Sequence, residues 1–281
     1  MIPPLPPSLV DQLADSQLES GAFASVMVED GVPRPDENGF VTAQVLRTLG
    51  PHAHDARLAT VIARALDFLE TCRDPVQPDA YRFWPEGKRP AHLPVYPADA
   101  DDTSVIALEL ARHGRLDVRS LRRTVLLALL GHRVPQDAPP PASWVVPGAF
   151  WTWLDADFGY NVVDCTVNAN VVALMAASGL THIPGYEEAC AMIEAAIDAA
   201  AGDERLARLL SPYYPDPSHL LAAVAYAVAT GAQRLRPTLD RLRCSVGRAR
   251  PDERQPVFCS AYGRVVWLAP ALQRLRLHAE R

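Results

Sequence analysis

The sequence predicts an all-α fold, a barrel of helical hairpins or α/α toroid, on three observations. Gly50, Gly114, Gly179 and Gly231 each follow an apolar helical run, at spacings of 64, 65 and 52 residues, and glycine supplies the left-handed cap that ends many helices. A second run with one polar face follows each glycine, whereas the first run tends to be apolar all round, which indicates burial on every side. Long aromatic loops join the pairs on one side, which favours a closed barrel with a site at that mouth over an open solenoid.

The elements follow in chain order from the same patterns. Residues 8–18 are predicted to be a short helix, and the polar segment 21–36 contains an alternating stretch, 24–28, that could form a hairpin. The helices are predicted over 40–50 with 57–69, 101–114 with 118–130, 164–179 with 186–200, 220–230 with 235–246, and a last helix over 260–278 with a kink at Pro270. We expect a single domain over 1–281, with residues 1–36 as an N-terminal helix and arm and 37–281 as repeated helical pairs.

The composition restricts the partners and the surroundings of the protein. The 281-residue chain is 49% hydrophobic, has a net charge of −6 and contains no Lys/Arg block, which argues against nucleic acid as a partner. Its five cysteines have no metal-type spacing and suit a reducing cytoplasm. The proline-rich N-terminus does not resemble a signal peptide, and no apolar run is long enough to span a membrane. We expect a cytoplasmic protein and leave peripheral membrane contact and homo-oligomerisation open.

Three carboxylates cluster where the helix over 101–114 begins. Asp99, Asp101 and Asp102 lie within four residues, directly before an apolar run. An aspartate at such a position caps a helix by accepting from the free amides of the first turn. Fifteen residues before three of the cap glycines stand Asp99, Asp164 and Asp216, whereas the other two carboxylates of the cluster have no counterpart in the other repeats. The repeat therefore explains the first carboxylate, and we place the chemistry at the other two.

Aromatic residues crowd the loops at the predicted mouth, although they make up only 7% of the chain. Such residues line pockets that are apolar and electron-rich, and their rings stabilise cations through the quadrupole. An acid cluster at the base of such a pocket is an arrangement for making and guiding a carbocation. The loop aromatics are Tyr81, Phe83, Trp84, Tyr96, Trp144, Phe150, Trp151, Trp153, Phe158, Tyr160, Tyr213 and Tyr214.

Polar residues also occur in the otherwise apolar helix over 164–179. Asp164 and Asn168 lie four residues apart and share a face, and Asn170 is turned away, so the two amides cannot both point inward. Capping and cross-helix hydrogen bonding are the alternative to a catalytic role for these residues. Asp164 with Asp99 or Asp102 could hold a hard cation through oxygen ligands, whereas no histidine or cysteine set has zinc spacing.

Because it combines a predicted toroid with this cluster of carboxylates, the chain resembles the terpenoid cyclase / prenyltransferase toroid superfamily. Asp99-Ala100-Asp101-Asp102-Thr103 is similar to the Asp-x-Asp-Asp motif of class II terpene cyclases, which include the squalene–hopene cyclases. In that family the motif begins an inner helix, and its middle aspartate protonates an alkene or an epoxide. The resemblance implies a small isoprenoid substrate, and it implies that Asp101 is the catalytic acid, flanked by Asp99 and Asp102.

This chemistry requires an aspartic acid that stays protonated near neutral pH, which burial and a neighbouring carboxylate achieve together. A polar group that bonds to the back of the acid would increase its strength, and Thr103, Asn168 or His219 are candidates by their position in the sequence. No cofactor is expected, except Mg²⁺ if the substrate carries a diphosphate. The predicted substrate-binding residues are Trp84, Tyr96, Trp151, Trp153, Asp164, Asn168, Tyr213, Tyr214 and His219.

Two alternatives remain at this stage. In the first, the carboxylates of a toroid protein bind a sugar, a metal or another polar ligand, in a non-cyclase enzyme or a binding module; two acids that straddle a glycosidic bond are one such arrangement. In the second, the protein is a scaffold with structural acidic caps. The surroundings of Asp101 discriminate between these readings, because a cyclase requires an enclosed apolar cavity and a sugar site an open polar groove.

Overall fold

A computed structural model describes residues 4–137, 139–201, 203–245 and 255–279. Over these ranges the chain forms eleven α-helices and one small antiparallel sheet, and none of the helices is long and apolar enough to cross a bilayer. The helices are α1 (Pro7–Asp15), α2 (Gly39–Leu49), α3 (Ala59–Thr71), α4 (Ala100–Arg112), α5 (Val118–Arg123, continued by a π-helical segment over Thr124–Leu129), α6 (Cys165–Ala177), α7 (Tyr186–Ala199), α8 (Glu204–Leu209), α9 (Ser218–Ala229), α10 (Arg236–Ser245) and α11 (Pro270–Ala279). The strands are β1 (Ser25–Glu29), β2 (Val32–Asp36), β3 (Phe258–Cys259) and β4 (Val265–Leu268).

The first helices of the predicted pairs pack side by side. Helix α4 lies between α2 and α6, α6 lies between α4 and α9, and α11 packs on α2. The second helix of each pair packs outside its partner, α3 on α2, α5 on α4, α7 on α6 and α10 on α9. In α6 every residue from Cys165 to Met175 is buried, in agreement with a sequence that is apolar apart from Thr166, Asn168 and Asn170.

The predicted acidic caps are present at α4 and α6. Oδ1 of Asp99 accepts from the backbone N–H groups of residues 101 and 102, at 2.8 and 2.7 Å, and Asp164 caps α6 in the same way. Asp216 lies one residue before the cap position of α9 and accepts from the amide of residue 218 at 2.8 Å. In the first pair the cap is Asn38, whose side chain accepts from the amide of residue 41. Asp36, two residues earlier, does not cap the helix but accepts from the indole N–H groups of Trp84 and Trp267.

The predicted glycine caps hold at three of the four positions. Gly114, Gly179 and Gly231 have φ values of 75°, 71° and 119°, in the left-handed region that side chains disfavour. Gly50 has φ −49° instead, and the chain continues into a 3₁₀ turn over Gly50–His52. Proline at position 51 is compatible with this turn because its fixed φ suits the first turn of a helix.

The expectation of a purely α-helical fold was wrong, because four strands form an antiparallel sheet in the order β2-β1-β4-β3. The stretch 24–28 forms a hairpin strand, and β1 also pairs with β4, Met27 standing opposite Trp267. Residues 260–268 were assigned to a last helix, but Val265 and Trp267 are buried while the residues between and after them are half-buried, which is the period of a strand. Pro270 begins α11 instead of kinking it, in agreement with the preference of proline for the first helical turn.

Candidate active site

A cavity of about 510 Å³ lies at the N-terminal end of α4. Buried Asp99, Asp101 and Asp102 line one part of it. Exposed His92 and Arg264 line another part. The remaining wall is mainly aromatic. Its rings belong to Phe40, Phe83, Trp84, Tyr96, Trp153, Phe158, Tyr160, Tyr213, Tyr214, Phe258 and Trp267. The cavity therefore combines an apolar interior with a buried acid cluster.

Contacts among the aromatic rings fix the shape of this wall. Tyr96 stacks on Trp153 with centroids 5.3 Å apart and an angle of 12° between the rings. Phe258 stacks on Trp267 at 4.7 Å. The indole N–H of Trp153 donates to the hydroxyl of Tyr213 at 2.8 Å, so that the polar atoms of both rings are paired. Stacked and edge-to-face rings of this kind hold one another in defined orientations.

Asp101 is held on both of its carboxyl oxygens. The residue is only 8% exposed, Oδ1 accepts from Nδ2 of Asn170 at 2.7 Å, and Oδ2 accepts from the hydroxyl of Tyr214. Burial, reinforced by the nearby Asp99 carboxylate, raises the pKa of Asp101 to about 7, although the two hydrogen bonds act in the opposite direction. A carboxyl with this pKa is protonated in a large fraction of molecules at neutral pH, and it can give up that proton.

The carboxyl groups of Asp99 and Asp102 interact strongly with each other. Burial raises the pKa of both groups, that of Asp102 well above its ordinary value, and the neighbouring Asp99 carboxylate is the next cause for Asp102. The hydrogen bond between them stabilises the ionised form of Asp99 and the neutral form of Asp102. Asp99 also accepts from two backbone amides, which favours its charged form. Asp102 therefore favours its neutral form, whereas the pKa of Asp101 lies near 7.

Asn170 was missed as a site residue, although it donates directly to the acid. The two amides of α6 do point in different directions, as expected from the helical period, but the one that faces α4 is Asn170. Asn168 instead bonds to the backbone N–H and C=O of Phe150, at 2.9 and 3.0 Å. The sequence places the two amides on different faces of one helix, but it contains no signal for which face contacts α4.

Asp164 and Asn168 do not line the cavity, contrary to the prediction of substrate contact. Asp164 is fully buried and accepts from the backbone amides of Thr166, Val167 and Tyr213. Burial raises its pKa to about 6, and the amide hydrogen bonds lower it. Both side chains are thus occupied by backbone groups, which they hold in place at the start of α6.

Trp151 and His219 also lie outside the cavity. The backbone of Trp151 is held by that of His132, and its neighbour Trp153 supplies the ring that reaches the cavity. His219 lies behind Tyr214, with ring centroids 5.5 Å apart, and lines a separate cavity of about 40 Å³. Burial lowers the pKa of His219 to about 4, so the ring is neutral. The five predicted substrate-binding residues that do line the large cavity are Trp84, Tyr96, Trp153, Tyr213 and Tyr214.

Two aromatic wall residues come from a region where the prediction was wrong. Phe258 and Trp267 lie on β3 and β4, and Trp267 falls within the stretch 260–278 that was predicted to be a helix. Thr103, which was expected to support the acid, instead accepts from the amide of Tyr81 at 3.0 Å. Within the described ranges no group of three or more His, Cys, Asp or Glu side chains is arranged to hold a metal ion.

Replacing Asn168 with Leu is expected to lower the free energy of unfolding by about 2–4 kcal/mol, because both backbone groups of Phe150 would be buried without partners. Urea denaturation followed by circular dichroism measures the change. Ser178→Ala, which removes only a local bond to the carbonyl of Met175, is the control and should cost about 1 kcal/mol or less. Equal losses in the two variants would contradict the bridging role of Asn168.

Comparisons with known proteins give a likeness in structure only. No protein-family model and no curated protein matches the sequence. The chain is similar to a protein from Actinoplanes, with a TM-score of 0.51 and 16% identity over 97% of this chain and 73% of that chain. It is also similar to the type II terpene cyclase MstE from Scytonema, with a TM-score of 0.48 and 12% identity over 97% of this chain and 94% of that chain. For a variant of MstE in complex with its substrate, geranylgeranyl dihydroxybenzoate, the TM-score is 0.44 at 13% identity, over 96% of each chain. The likeness to the Actinoplanes protein shows a shared fold.

Proposed function

We propose that the protein is a class II-type terpene cyclase or isomerase, in which Asp101 protonates an alkene of an isoprenoid substrate. One observation carries the proposal: a buried aspartic acid with a pKa of about 7 lines an aromatic cavity of about 510 Å³. We further propose that the side-by-side inner helices, from α11 through α2, α4 and α6 to α9, form a single α/α-toroid domain. The cavity then lies at one mouth of this toroid.

The reaction starts with transfer of the Asp101 proton to one carbon of a C=C bond, which leaves a cation on the other carbon. The carboxylate that forms is stabilised at Oδ1 by Asn170 and at Oδ2 by Tyr214. A further alkene of the substrate attacks the cation, forming a C–C bond and a new cation. The aromatic wall stabilises these cations through its ring faces. Loss of a proton from carbon, or capture of water with loss of a proton, ends the sequence and balances the proton that was consumed.

The polar residues in the exposed part of the cavity give the substrate an orientation. His92 and Arg264 line this part, and His92 forms an ion pair with Glu29 at 2.9 Å when protonated. An isoprenoid chain would place its apolar end toward Asp101 and its polar head toward this opening. Mg²⁺ remains conditional on a diphosphate head group.

A sugar-binding role fits this geometry less well. Glycosidases place two carboxyl groups on opposite sides of the bond that they cleave. Here Asp99, Asp101 and Asp102 lie within the first turn of one helix, so they cannot face one another across a bound sugar. The rest of the wall is mainly aromatic.

Incubation with a panel of linear isoprenoids, read by mass spectrometry coupled to chromatography, tests the proposal. The panel should contain prenyl diphosphates, squalene and prenylated aromatic acids. We expect a product with the mass of one substrate and a new retention time, or a product heavier by one water, because the proton is returned at the end. A panel in which no member is converted contradicts the proposal. So does a product that also forms with the Asp101→Asn variant.

The pH dependence of turnover provides a second test, through Tyr214→Phe. The hydroxyl of Tyr214 stabilises the ionised form of Asp101 and so lowers its pKa. Because Asp101 donates only when protonated, activity should fall as pH rises through this pKa, near 7 in the unmodified protein. In Tyr214→Phe the fall should move to higher pH, and turnover at acid pH should decrease by up to about tenfold because the acid is weaker. Unchanged pH profiles would contradict this role of Tyr214.

A further inference from the structure

A buried arginine lies behind the acid cluster, outside the substrate cavity. The side chain of Arg47, on α2, is 10% exposed. Its Nη1 donates to Oδ1 of Asn170 at 2.9 Å, and its Nε donates to Oε1 of Glu109 at 3.3 Å. The guanidinium carbon lies 3.8 Å from the ring centroid of Tyr226, whose hydroxyl also donates to Glu109 at 2.8 Å. Arg47 is thus fixed on several sides, and one of its hydrogen bonds reaches the residue that contacts Asp101.

The hydrogen bond from Arg47 decides which way the Asn170 amide points. An asparagine amide carries an acceptor oxygen and a donor nitrogen, and either could face Asp101. A guanidinium group has donors only, so the oxygen of Asn170 must face Arg47 and its nitrogen must face Asp101. The observed bonds have this arrangement, with Oδ1 of Asn170 toward Arg47 and Nδ2 toward Oδ1 of Asp101.

We propose that Arg47 is a positioning residue that holds the Asn170 amide with its nitrogen toward Oδ1 of Asp101. The carboxylate left after proton transfer then keeps a donor on each oxygen, Asn170 on Oδ1 and Tyr214 on Oδ2. The inference rests on the proposed function in so far as it concerns proton transfer. The hydrogen bonds from Arg47 to Asn170 and from Asn170 to Asp101 are present whatever reaction takes place at this site.

Without Arg47 the amide is free to rotate by a half turn. The oxygen of Asn170 would then face Asp101 and accept a hydrogen bond from a proton on Oδ1. This bond favours neutral Asp101, and the loss of the cation at Arg47 acts in the same direction, so both changes raise the pKa. The acid would be weaker, because a proton on Oδ1 would be held in a hydrogen bond to the oxygen of Asn170.

Other ionisable groups lie near Asp101 or near the residues that contact it, and of these the test below changes only Glu109. Asp99 and Asp102 are on its own helix, and the others come from every neighbouring element. These are Asp164 at the start of α6, Tyr213 and Tyr214 before α9, His219 on α9, Arg276 on α11, and Glu109 at the far end of α4.

The test replaces Arg47 without leaving a buried charge behind. Glu109 is fully buried, so Arg47→Met alone could prevent folding, and the double variant Arg47→Met/Glu109→Gln avoids this. Glu109→Gln alone keeps Arg47 and Asn170 and is the matched control. In ¹³C-carboxyl-labelled protein without substrate, the double variant should show an Asp101 pKa about one pH unit higher than the control. Equal Asp101 pKa values in the two variants would overturn the proposal.

A measurement on the unmodified protein keeps the proposal testable if the double variant does not fold. The NMR signals of the side-chain N–H groups of Asn170 should shift as Asp101 titrates, because Nδ2 donates a hydrogen bond to Asp101. Signals that do not shift over this pH range would overturn the proposal. Turnover adds an independent readout. In the double variant kcat should fall about tenfold with unchanged KM, and the descending limb of the pH profile should move to higher pH. The carboxyl titration does not require substrate, so absence of cyclisation with a normal pKa difference would contradict only the proposed function.

Discussion

Replacement of Asp101 by Asn is expected to lower turnover by a factor of about 10² to 10⁴ while leaving the fold intact. A positioned general acid contributes a factor of this size, and an amide cannot supply the proton. Asparagine has nearly the shape of aspartate, and its oxygen can still accept from Asn170 on the side where Oδ1 now lies. Turnover, substrate affinity by equilibrium binding and the melting temperature together measure the effect.

The matched control for this substitution is Asp99→Asn. The oxygen of asparagine can still accept from the amides of residues 101 and 102, which Asp99 now caps. The stability of α4 should therefore change little. Because Asp99 also raises the pKa of Asp101, its neutral replacement should make Asp101 more readily ionised and shift the fall in activity to lower pH. If both variants lost activity to the same extent at every pH, the assignment of Asp101 as the acid would be wrong.

Local signals in the sequence were sufficient to locate the carboxylate cluster and its helix. Asp99 stands directly before an apolar run, and a carboxylate there can be satisfied by amides of the next few residues without any tertiary contact. The glycine at position 114 marks the end of the same helix by its φ of 75°. The buried inner helices could also be predicted from the sequence, because a helix that is mostly apolar on all its faces must be covered on every side.

The partners of the acid could not be predicted, because they depend on contacts between distant segments. Asn170 and Tyr214 reach Asp101 from α6 and from the segment before α9, and the helical period gives only the relative directions of side chains on one helix. The sheet was missed for the same reason. Strand β4 has four residues and pairs with β1 from the opposite end of the chain. Such a short segment does not reveal its partner by its own pattern.

The sheet is connected to the cavity wall through Asp36, the last residue of β2. One carboxyl oxygen of Asp36 accepts from the indole N–H of Trp84 at 2.8 Å, and the other accepts from the indole N–H of Trp267 at 3.0 Å and from Nδ2 of Asn38 at 2.7 Å. The hydroxyl of Ser25 lies 3.3 Å from the same oxygen. Two tryptophans of the wall and the cap of α2 thus share one carboxylate that is 8% exposed.

Asp36→Ala is therefore expected to reduce the free energy of unfolding by about 3–5 kcal/mol, since it leaves several buried donors without an acceptor. Urea denaturation measures the loss, and the fluorescence of Trp84 and Trp267 should change even in the folded variant because both indoles lose their partner. Asp36→Asn keeps one acceptor oxygen but places a donor against the indole N–H or Asn38, so its loss should be smaller and still measurable.

The control for a general effect of removing an aspartate is Asp55→Ala. Asp55 caps a short surface turn and pairs with Arg57, and its loss should change stability far less than that of Asp36. The two tryptophans held by Asp36 also line the large aromatic cavity. We therefore expect Asp36→Ala to weaken substrate binding in the folded fraction as well, whereas Asp55→Ala should leave it unchanged. If Asp36→Ala were no more destabilising than Asp55→Ala, the indoles would have found other acceptors and the carboxylate would not organise the wall.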